Sequence, residues 1–215
     1  MNPTQIKDLI ILVADKNMEF AMRGIFERRQ ALEMREITCD LYVHPERDPG
    51  CLNRGHDFLK PFVGSHAHAL VMLDHQGCGR EHVPVGKLEE EMEAKLEGQG
   101  WLGCAAIVIG PELENWVWSD SPQVDHVLGW SGKNPKLRDW LHDKGYWVSG
   151  EPKPCAPKEA VEAAIRLVRK QRSSFLYADL ASKVGLDRCT DRSFIKLKSS
   201  LRSWFGVKGA GGGEG

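Results

Sequence analysis

Four short apolar segments recur along the first half of the chain, and each stops at or just before a polar residue. They cover residues 8–14, 37–43, 68–73 and 105–109. Continuous apolar runs of this length are typical of strands that are buried on both faces, as in a parallel sheet. Segments with helical spacing lie between them. Strands that alternate with helices predict an α/β fold with a mainly parallel four-stranded sheet flanked by helices.

The helical patterns between the strands are of unequal strength. The clearest is the third, where Leu88, Met92 and Leu96 recur every four positions on one face. Prolines and a glycine in residues 44–50 predict a loop rather than a helix. The helices predicted between the strands cover residues 20–29, 57–63 and 87–96.

Prolines at positions 152, 154 and 157 mark a change of pattern. Beyond them the helical spacing predicts three more helices, over residues 158–172, 175–184 and 192–204. The predicted organisation is therefore an α/β domain, a basic helical C-terminal region and a Gly-rich tail that we expect to be disordered. Their bounds are residues 1–150, 151–208 and 209–215.

Composition narrows the class of protein. Of the 215 residues 41% are hydrophobic and 27% are charged, which excludes a disordered chain and a fibrous protein. No stretch reaches the roughly 18–20 apolar residues of a membrane span, and the first residues are too polar for a signal peptide. We therefore expect a cytoplasmic protein that makes no membrane contact, with its six scattered cysteines as free thiols.

Charge is distributed unevenly along the chain. Residues 153–208 carry 13 Lys or Arg against 5 Asp or Glu, whereas residues 1–152 carry 16 against 24. In the basic region Arg166 and Lys170 are four residues apart, as are Lys198 and Arg202, so each pair is predicted to share a helix face. Such a face attracts a nucleic-acid backbone. The alternatives are a solvated surface, or docking onto the acidic half or a partner subunit.

Carboxylates follow three of the predicted strands. Asp15 follows the first strand, Asp74 the third, and Glu112 and Glu114 the fourth. The carboxyl ends of parallel strands meet at one edge of a sheet, where ligands bind in open α/β folds. Oxygen ligands of this kind suit Mg²⁺ or Mn²⁺. The alternative for Asp15 or Asp74 is that each caps the turn or helix that follows.

Other polar and aromatic residues have two interpretations each. His75, next to Asp74, could act as a general base or contact phosphate, or could have no role. Residues 77–80 are rich in glycine and include an arginine. We expect a flexible turn there rather than a phosphate-binding loop, because the Walker Gly-Lys-Ser/Thr sequence is absent. The seven tryptophans could include a base-stacking surface, but such residues more often seal a core.

The motifs together resemble the Toprim fold, the metal-binding domain of primases, topoisomerases and several nucleases. More closely, the chain resembles a Toprim-related bacterial family of unknown function found in methylation-associated anti-phage defence systems. The resemblance rests on residues 12–19, 73–77, 111–120 and 188–194, followed by Leu197 and residues 204–205. It implies partner proteins of a defence system and a Mg²⁺-dependent nuclease activity. Asp15, Asp74, Glu112 and Glu114 would hold the cation, with Glu19 or His75 assisting proton transfer.

The chain departs from the Toprim pattern at two positions. Ala14 stands where the family has its first-strand Glu, with Asp15 one position later, and Gln76 replaces the second Asp of the Asp-x-Asp motif. Gln can coordinate a cation but supplies no charge. The alternative function is therefore a catalytically degenerate Toprim module that binds a protein partner or ligand within a defence complex.

Overall fold

The computed structural model describes residues 6–185 and 189–207. Arg188 of the last motif and the Gly-rich tail, residues 209–215, lie outside the described residues. Strands and helices alternate through the first half of the chain, and three helices follow in the basic region. The strands are β1 Lys7–Val13, β2 Cys39–Val43, β3 His66–Asp74 and β4 Cys104–Ile109. The helices are α1 Lys16–Phe26, α2 Arg47–Leu59, α3 Val85–Gly98, α4 Pro122–Leu128, α5 Leu137–Asp143, α6 Pro157–Leu167, α7 Ser174–Lys183 and α8 Arg192–Phe205.

The four strands form one sheet in the order β2-β1-β3-β4, and every neighbouring pair is parallel. The predicted α/β class is therefore confirmed, with helices flanking the sheet and helices at the C-terminus. Residues 9–13 of the central strand β1 are completely buried, as the continuous apolar run predicted. In the registered pairs Val13 lies opposite Val43 and Met72, and Asp74 lies opposite Ile109. The strand ends are thus aligned at one edge.

The loop predicted over residues 44–50 is too long, because a helix begins within it, and the helix predicted over residues 57–63 starts ten residues too late; residues 57–59 end that helix, and Lys60–Phe62 continue it as a 3-10 turn. One helix, α2, begins at Arg47 and ends at Leu59. Pro49 lies in its first turn, where a missing N–H costs no hydrogen bond, so the proline starts the helix and does not break it. The glycines at positions 50 and 55 are buried on the side of α2 that faces the rest of the protein.

Two helices and most of the tryptophans occupy the segment between β4 and α6. The short helices α4 and α5 have no counterpart among the predicted elements. Trp118, Trp130 and Trp147 are buried, and the indole N–H groups of Trp118 and Trp130 donate to the carbonyl oxygens of Pro157 and Ala164. These tryptophans therefore seal the contact between α6 and the segment before it, as the core interpretation predicted.

Helices α1 and α7 pack in parallel at very close range. Ser174 donates to the side chain of Asn17 at 2.9 Å near the first turns, and Arg28 donates to the carbonyl oxygen of Val184 at the other end. Between these contacts lies Gly24, where an added Cβ would be 2.5 Å from the carbonyl oxygen of Ala178. The glycine is therefore needed because it lets the two helices approach. Since α7 lies in the basic region, this region packs directly on a helix of the α/β part of the chain.

The outer edge of β4 is covered by carboxylates and a helix. Glu89 accepts from the backbone N–H of Val108 at 3.0 Å, and Glu93 accepts from that of Ala106 at 2.9 Å. Lys196 of α8 donates to both glutamates, at 3.1 and 2.8 Å. A strand edge needs such partners because its outer N–H groups are otherwise left without hydrogen bonds. Part of the basic charge of α8 is thus used to dock this helix onto the acidic half.

We expect Gly24→Ala to destabilise the protein by about 1–3 kcal/mol, because α1 and α7 would have to separate to admit the methyl group. The free energy of unfolding in urea measures the effect. Gly98→Ala is the matched control: Gly98 also lies in a helix, and an added Cβ there would have no atom within 4 Å. Since alanine is the better helix former, this variant should be neutral or up to about 1 kcal/mol more stable. Equal stability of the two variants would contradict the close-packing argument.

Candidate functional site

Five carboxylates converge at the edge of the sheet where the strands end. Asp15 precedes α1, Asp48 lies in the first turn of α2, and Asp74 ends β3. Glu112 and Glu114 follow β4. Each of the other four raises the pKa of Asp74, so all lie within electrostatic reach of it. We call these five residues the acidic edge. The structure thus brings together the four acids that the sequence placed there, and adds Asp48.

Asp74 is the most perturbed member of the acidic edge. Its Oδ1 atom is buried and has no hydrogen-bond partner among the described residues. Burial raises the pKa of this carboxyl well above its ordinary value, and the charges of Asp48, Glu114, Asp15 and Glu112 raise it further, in that order. An unpartnered buried carboxylate is costly, so a proton, a cation or a hydrogen-bond donor at this position would stabilise Asp74.

Asp48 was missed because the sequence reasoning placed residues 44–50 in a loop. In the structure the start of α2 carries Asp48 to the end of β3, where its Oδ1 accepts from the backbone N–H of Asp74 at 2.8 Å. Burial raises the pKa of Asp48 too, and the nearby Asp15 charge adds to the shift. The signal that could have found Asp48 is the Asp-Pro pair itself, because an acid beside proline is typical of a first helical turn.

Asp15 has the capping position that was its alternative interpretation. Its Oδ1 accepts from the backbone N–H of Met18 at 2.9 Å, so Asp15 is the N-cap of α1. This contact uses one carboxylate oxygen and leaves the charge at the acidic edge. Capping and electrostatics are therefore compatible at this position.

Glu112 and Glu114 are engaged by the C-terminal helices. Glu112 accepts from the backbone N–H of Lys158 at 3.0 Å, in the first turn of α6. Glu114 accepts from the hydroxyl of Tyr177 and from Arg172, whose Nη2 is 3.3 Å away. Both glutamates are buried. Both therefore have partners within the protein, whereas Oδ1 of Asp74 has none among the described residues; burial and the charge of Glu114 nevertheless raise the pKa of Glu112.

The two residues that follow Glu114 hold the start of α8. Asn115 and Trp116 both donate from their side chains to Asp191, the N-cap of α8, and Trp116 also donates to Ser193 at 2.8 Å. Residues 112–116 thus contact α6, α7 and α8 in turn, and we call them the docking segment. Two of the segments on which the resemblance rests, residues 111–120 and 188–194, contact each other here.

The two candidate proton-transfer residues differ in their surroundings. Glu19 pairs with Arg23 one turn along α1, at 2.8 Å. His75 has its Nε2 2.9 Å from the carbonyl oxygen of Val83. A carbonyl only accepts hydrogen bonds, so this contact places the proton on Nε2 and leaves Nδ1 as the basic nitrogen. His75 is therefore arranged as a base more directly than Glu19.

The four basic residues predicted to contact nucleic acid fall into two sets. Arg166 and Lys170 line one open groove with Arg172, Glu162 and Ile165, although α6 ends at Leu167, so the predicted helix over 158–172 is too long. Arg202 of α8 pairs with Glu33 at 2.7 Å and donates to the carbonyl oxygen of Leu32. Lys198 also lies on α8 and does not line that groove.

We call Arg166, Lys170 and Arg172, the cationic residues that line the open groove beside α6, the basic groove.

The donor set determines how a cation could be held. In the described part of the chain, no three Asp, Glu, His or Cys side chains gather closely enough to enclose one metal ion. Mg²⁺ is commonly bound by only one or two carboxylates, with water and phosphate completing its shell. The unpartnered Oδ1 of Asp74 beside Asp48 fits this open mode, whereas the engaged Glu112 and Glu114 do not. None of the helices described has the length and apolar content needed to cross a bilayer.

Comparison of the chain with protein-family models, with curated proteins and with solved structures finds no match in any of the three.

We expect Asp74→Asn to stabilise the protein at pH 7 when no divalent cation is present. The pKa of Asp74 is higher in the folded state than its unfolded value of 3.8, so its contribution to stability is complete below that value and is lost as pH rises through the folded-state pKa. Because one unit of pKa corresponds to about 1.4 kcal/mol, a raised folded-state pKa gives a gain that urea unfolding can resolve. Urea unfolding at pH 4 and pH 7 measures it, and an equally large gain at both values would contradict the charge argument.

Tyr177→Phe should destabilise the protein by about 1–3 kcal/mol, because the buried Glu114 loses a hydrogen-bond donor that water cannot replace. Urea unfolding again provides the measurement. Tyr42→Phe is the matched control, since Tyr42 lies on the edge strand β2 and is partly exposed. The same loss in both variants would show that Glu114 does not depend on the Tyr177 hydroxyl.

Proposed function

We propose that this protein is a Toprim-like, divalent-cation-dependent phosphodiester hydrolase that acts on nucleic acid within a bacterial anti-phage defence system. The observation that carries the proposal is the buried Oδ1 of Asp74, which has no partner in the described residues and lies among four other carboxylates. The defence context comes from the sequence resemblance alone.

Asp74 and Asp48 are the residues that would hold the cation, since Glu112 and Glu114 already have hydrogen-bond partners in α6 and α7 and in the segment between them. When bound, Mg²⁺ or Mn²⁺ would polarise a phosphodiester oxygen and lower the pKa of a bound water. Asp15 adds negative charge while it caps α1. The engaged glutamates maintain the docking of α6 and α7, so their contribution is to position the edge.

The chain's own residues also supply groups for an anionic substrate. Lys158 has its Nζ 3.9 Å from Glu112, and Arg172 contacts Glu114. Two cationic side chains therefore lie beside the acidic edge, where a phosphate group would compete with Glu112 and Glu114 for them. His75 presents Nδ1 as a base for proton transfer, because its Nε2 is fixed on the Val83 carbonyl.

A non-catalytic module is the second candidate. Two observations favour it: the side chain of Gln76, at the position of the second Asp, is exposed, and the glutamates after β4 are used in docking. In this case the acidic edge would bind a cation or a partner's basic group without hydrolysis. The two candidates therefore share the site and differ in the reaction.

Cation binding tests what the candidates share. We expect Mn²⁺ to raise the melting temperature of the wild-type protein, because a ligand that binds only the native state stabilises it by RT ln(1 + [L]/Kd). Asp74→Asn should lose this increase. Asp57→Asn, at the far end of α2 from Asp48, is the control and should keep it. A full Mn²⁺ response in Asp74→Asn would remove Asp74 from the site.

Hydrolysis separates the two candidates. With Mg²⁺ or Mn²⁺ we expect the wild-type protein to cleave DNA or RNA, and we expect Asp74→Asn to reduce the rate at least about 100-fold, since the cation is lost. Gel analysis of labelled single-stranded and duplex substrates measures the cleavage. Cation binding without any hydrolysis would favour the non-catalytic module.

A further inference from the structure

Two phenyl rings form a surface feature at the start of α1 and α7. Phe175 is 71% exposed, which is unusual for a large apolar side chain in a regular helix. Its ring packs edge-on against Phe20, with 4.8 Å between the ring centroids. The contact holds Phe175 in one orientation and leaves most of its surface in water. We call this pair the aromatic platform.

The aromatic platform lies near the acidic edge. Phe20 follows the N-cap Asp15 by five residues, which is about 7.5 Å along a helix. Helices α1 and α7 run in parallel from this end, as the contact between Asn17 and Ser174 shows. Tyr177, two residues after Phe175, donates to Glu114 of the acidic edge. The platform and the acidic edge therefore lie at the same end of the α1–α7 pair, with Phe175 on the exposed side of α7 and Tyr177 on its buried side.

The basic groove approaches the same place. Arg172 is three residues before Phe175, so the Cα atoms of the two residues lie within about 10 Å of each other even when the chain between them is extended. Arg172 also pairs with Glu114 and Glu162, and it lines the groove with Arg166 and Lys170. Cationic side chains along a groove, next to an exposed aromatic ring, are the combination used to bind a single nucleic-acid strand.

We propose that the aromatic platform stacks an unpaired base of a single-stranded nucleic acid whose phosphates lie in the basic groove. This inference rests on the proposed function, and it specifies the substrate class as single-stranded rather than duplex. A base inside a duplex has no free face for Phe175, whereas a splayed base stacks on it. Phe20 is a positioning residue, because it supports the ring of Phe175 from the side.

Binding of labelled 12-nucleotide strands to the full-length protein, followed by fluorescence anisotropy without divalent cation, tests the proposal. One strand carries bases, and a second has the same length and charge but abasic sites throughout. Phe175→Ala should weaken binding of the base-bearing strand about 5- to 150-fold, the range measured for loss of one stacked base. Binding of the abasic strand should not change. Phe175→Trp retains a stacking surface and should restore binding.

Ile195→Ala is the matched control, because Ile195 is an apolar residue on α8 with 53% exposure and lies outside the platform. It should bind both strands like the wild type. Equal binding of the base-bearing strand by wild type and Phe175→Ala would overturn the proposal, and so would failure of the wild type to bind it at low salt. The Mn²⁺ response is measured separately. If Phe175→Ala keeps this response but loses binding of the base-bearing strand, the stacking role is supported. If the wild-type protein shows no Mn²⁺ response, the result counts against the cation site and not against base stacking.

Discussion

A buried glutamate that is neutralised inside the protein connects the two halves of this chain. Glu114 follows the last strand of the sheet, and it is held by Tyr177 and Arg172 from the C-terminal region. Because a buried charge without partners would be very unfavourable, α7 must dock where it does for the sheet edge to be stable. Neighbouring residues in the docking segment fix α6 and α8 by the same kind of contact. The geometry of the acidic edge therefore depends on the C-terminal helices.

This arrangement divides the acidic edge by charge. Glu112 and Glu114 receive ion-pair partners from the basic region, whereas Asp48 and Asp74 receive none from the residues that the structure describes. The N-termini of α1 and α2 lie at the same edge, and their dipoles favour negative charge there. Helix dipoles offset only part of the repulsion between carboxylates that share a buried position. Asp74 is therefore the position at which a bound proton or cation would stabilise the edge most.

The fold was largely predictable from sequence, and the site only in part. Buried parallel strands leave continuous apolar runs, so β1, β3 and β4 were found close to their true bounds. The start of α2 was missed because proline and glycine were interpreted as loop residues without regard to their place in a first turn. Asp48 was lost with it. The partners of Glu112 and Glu114 could not be predicted either, since they come from residues about 45–65 positions away.

The docking segment also changes what the sequence resemblance can support. Two of the segments on which the resemblance rests contact each other through Asn115, Trp116 and Asp191, and these residues bind α8 to the sheet edge. A motif kept for docking indicates a shared architecture, but it carries no information about the reaction. The chemical argument therefore falls on Asp74 and Asp48. Asp48 reaches the site through the start of α2 rather than through a strand end, so this chain places a pair of carboxylates at the sheet edge although position 76 is Gln.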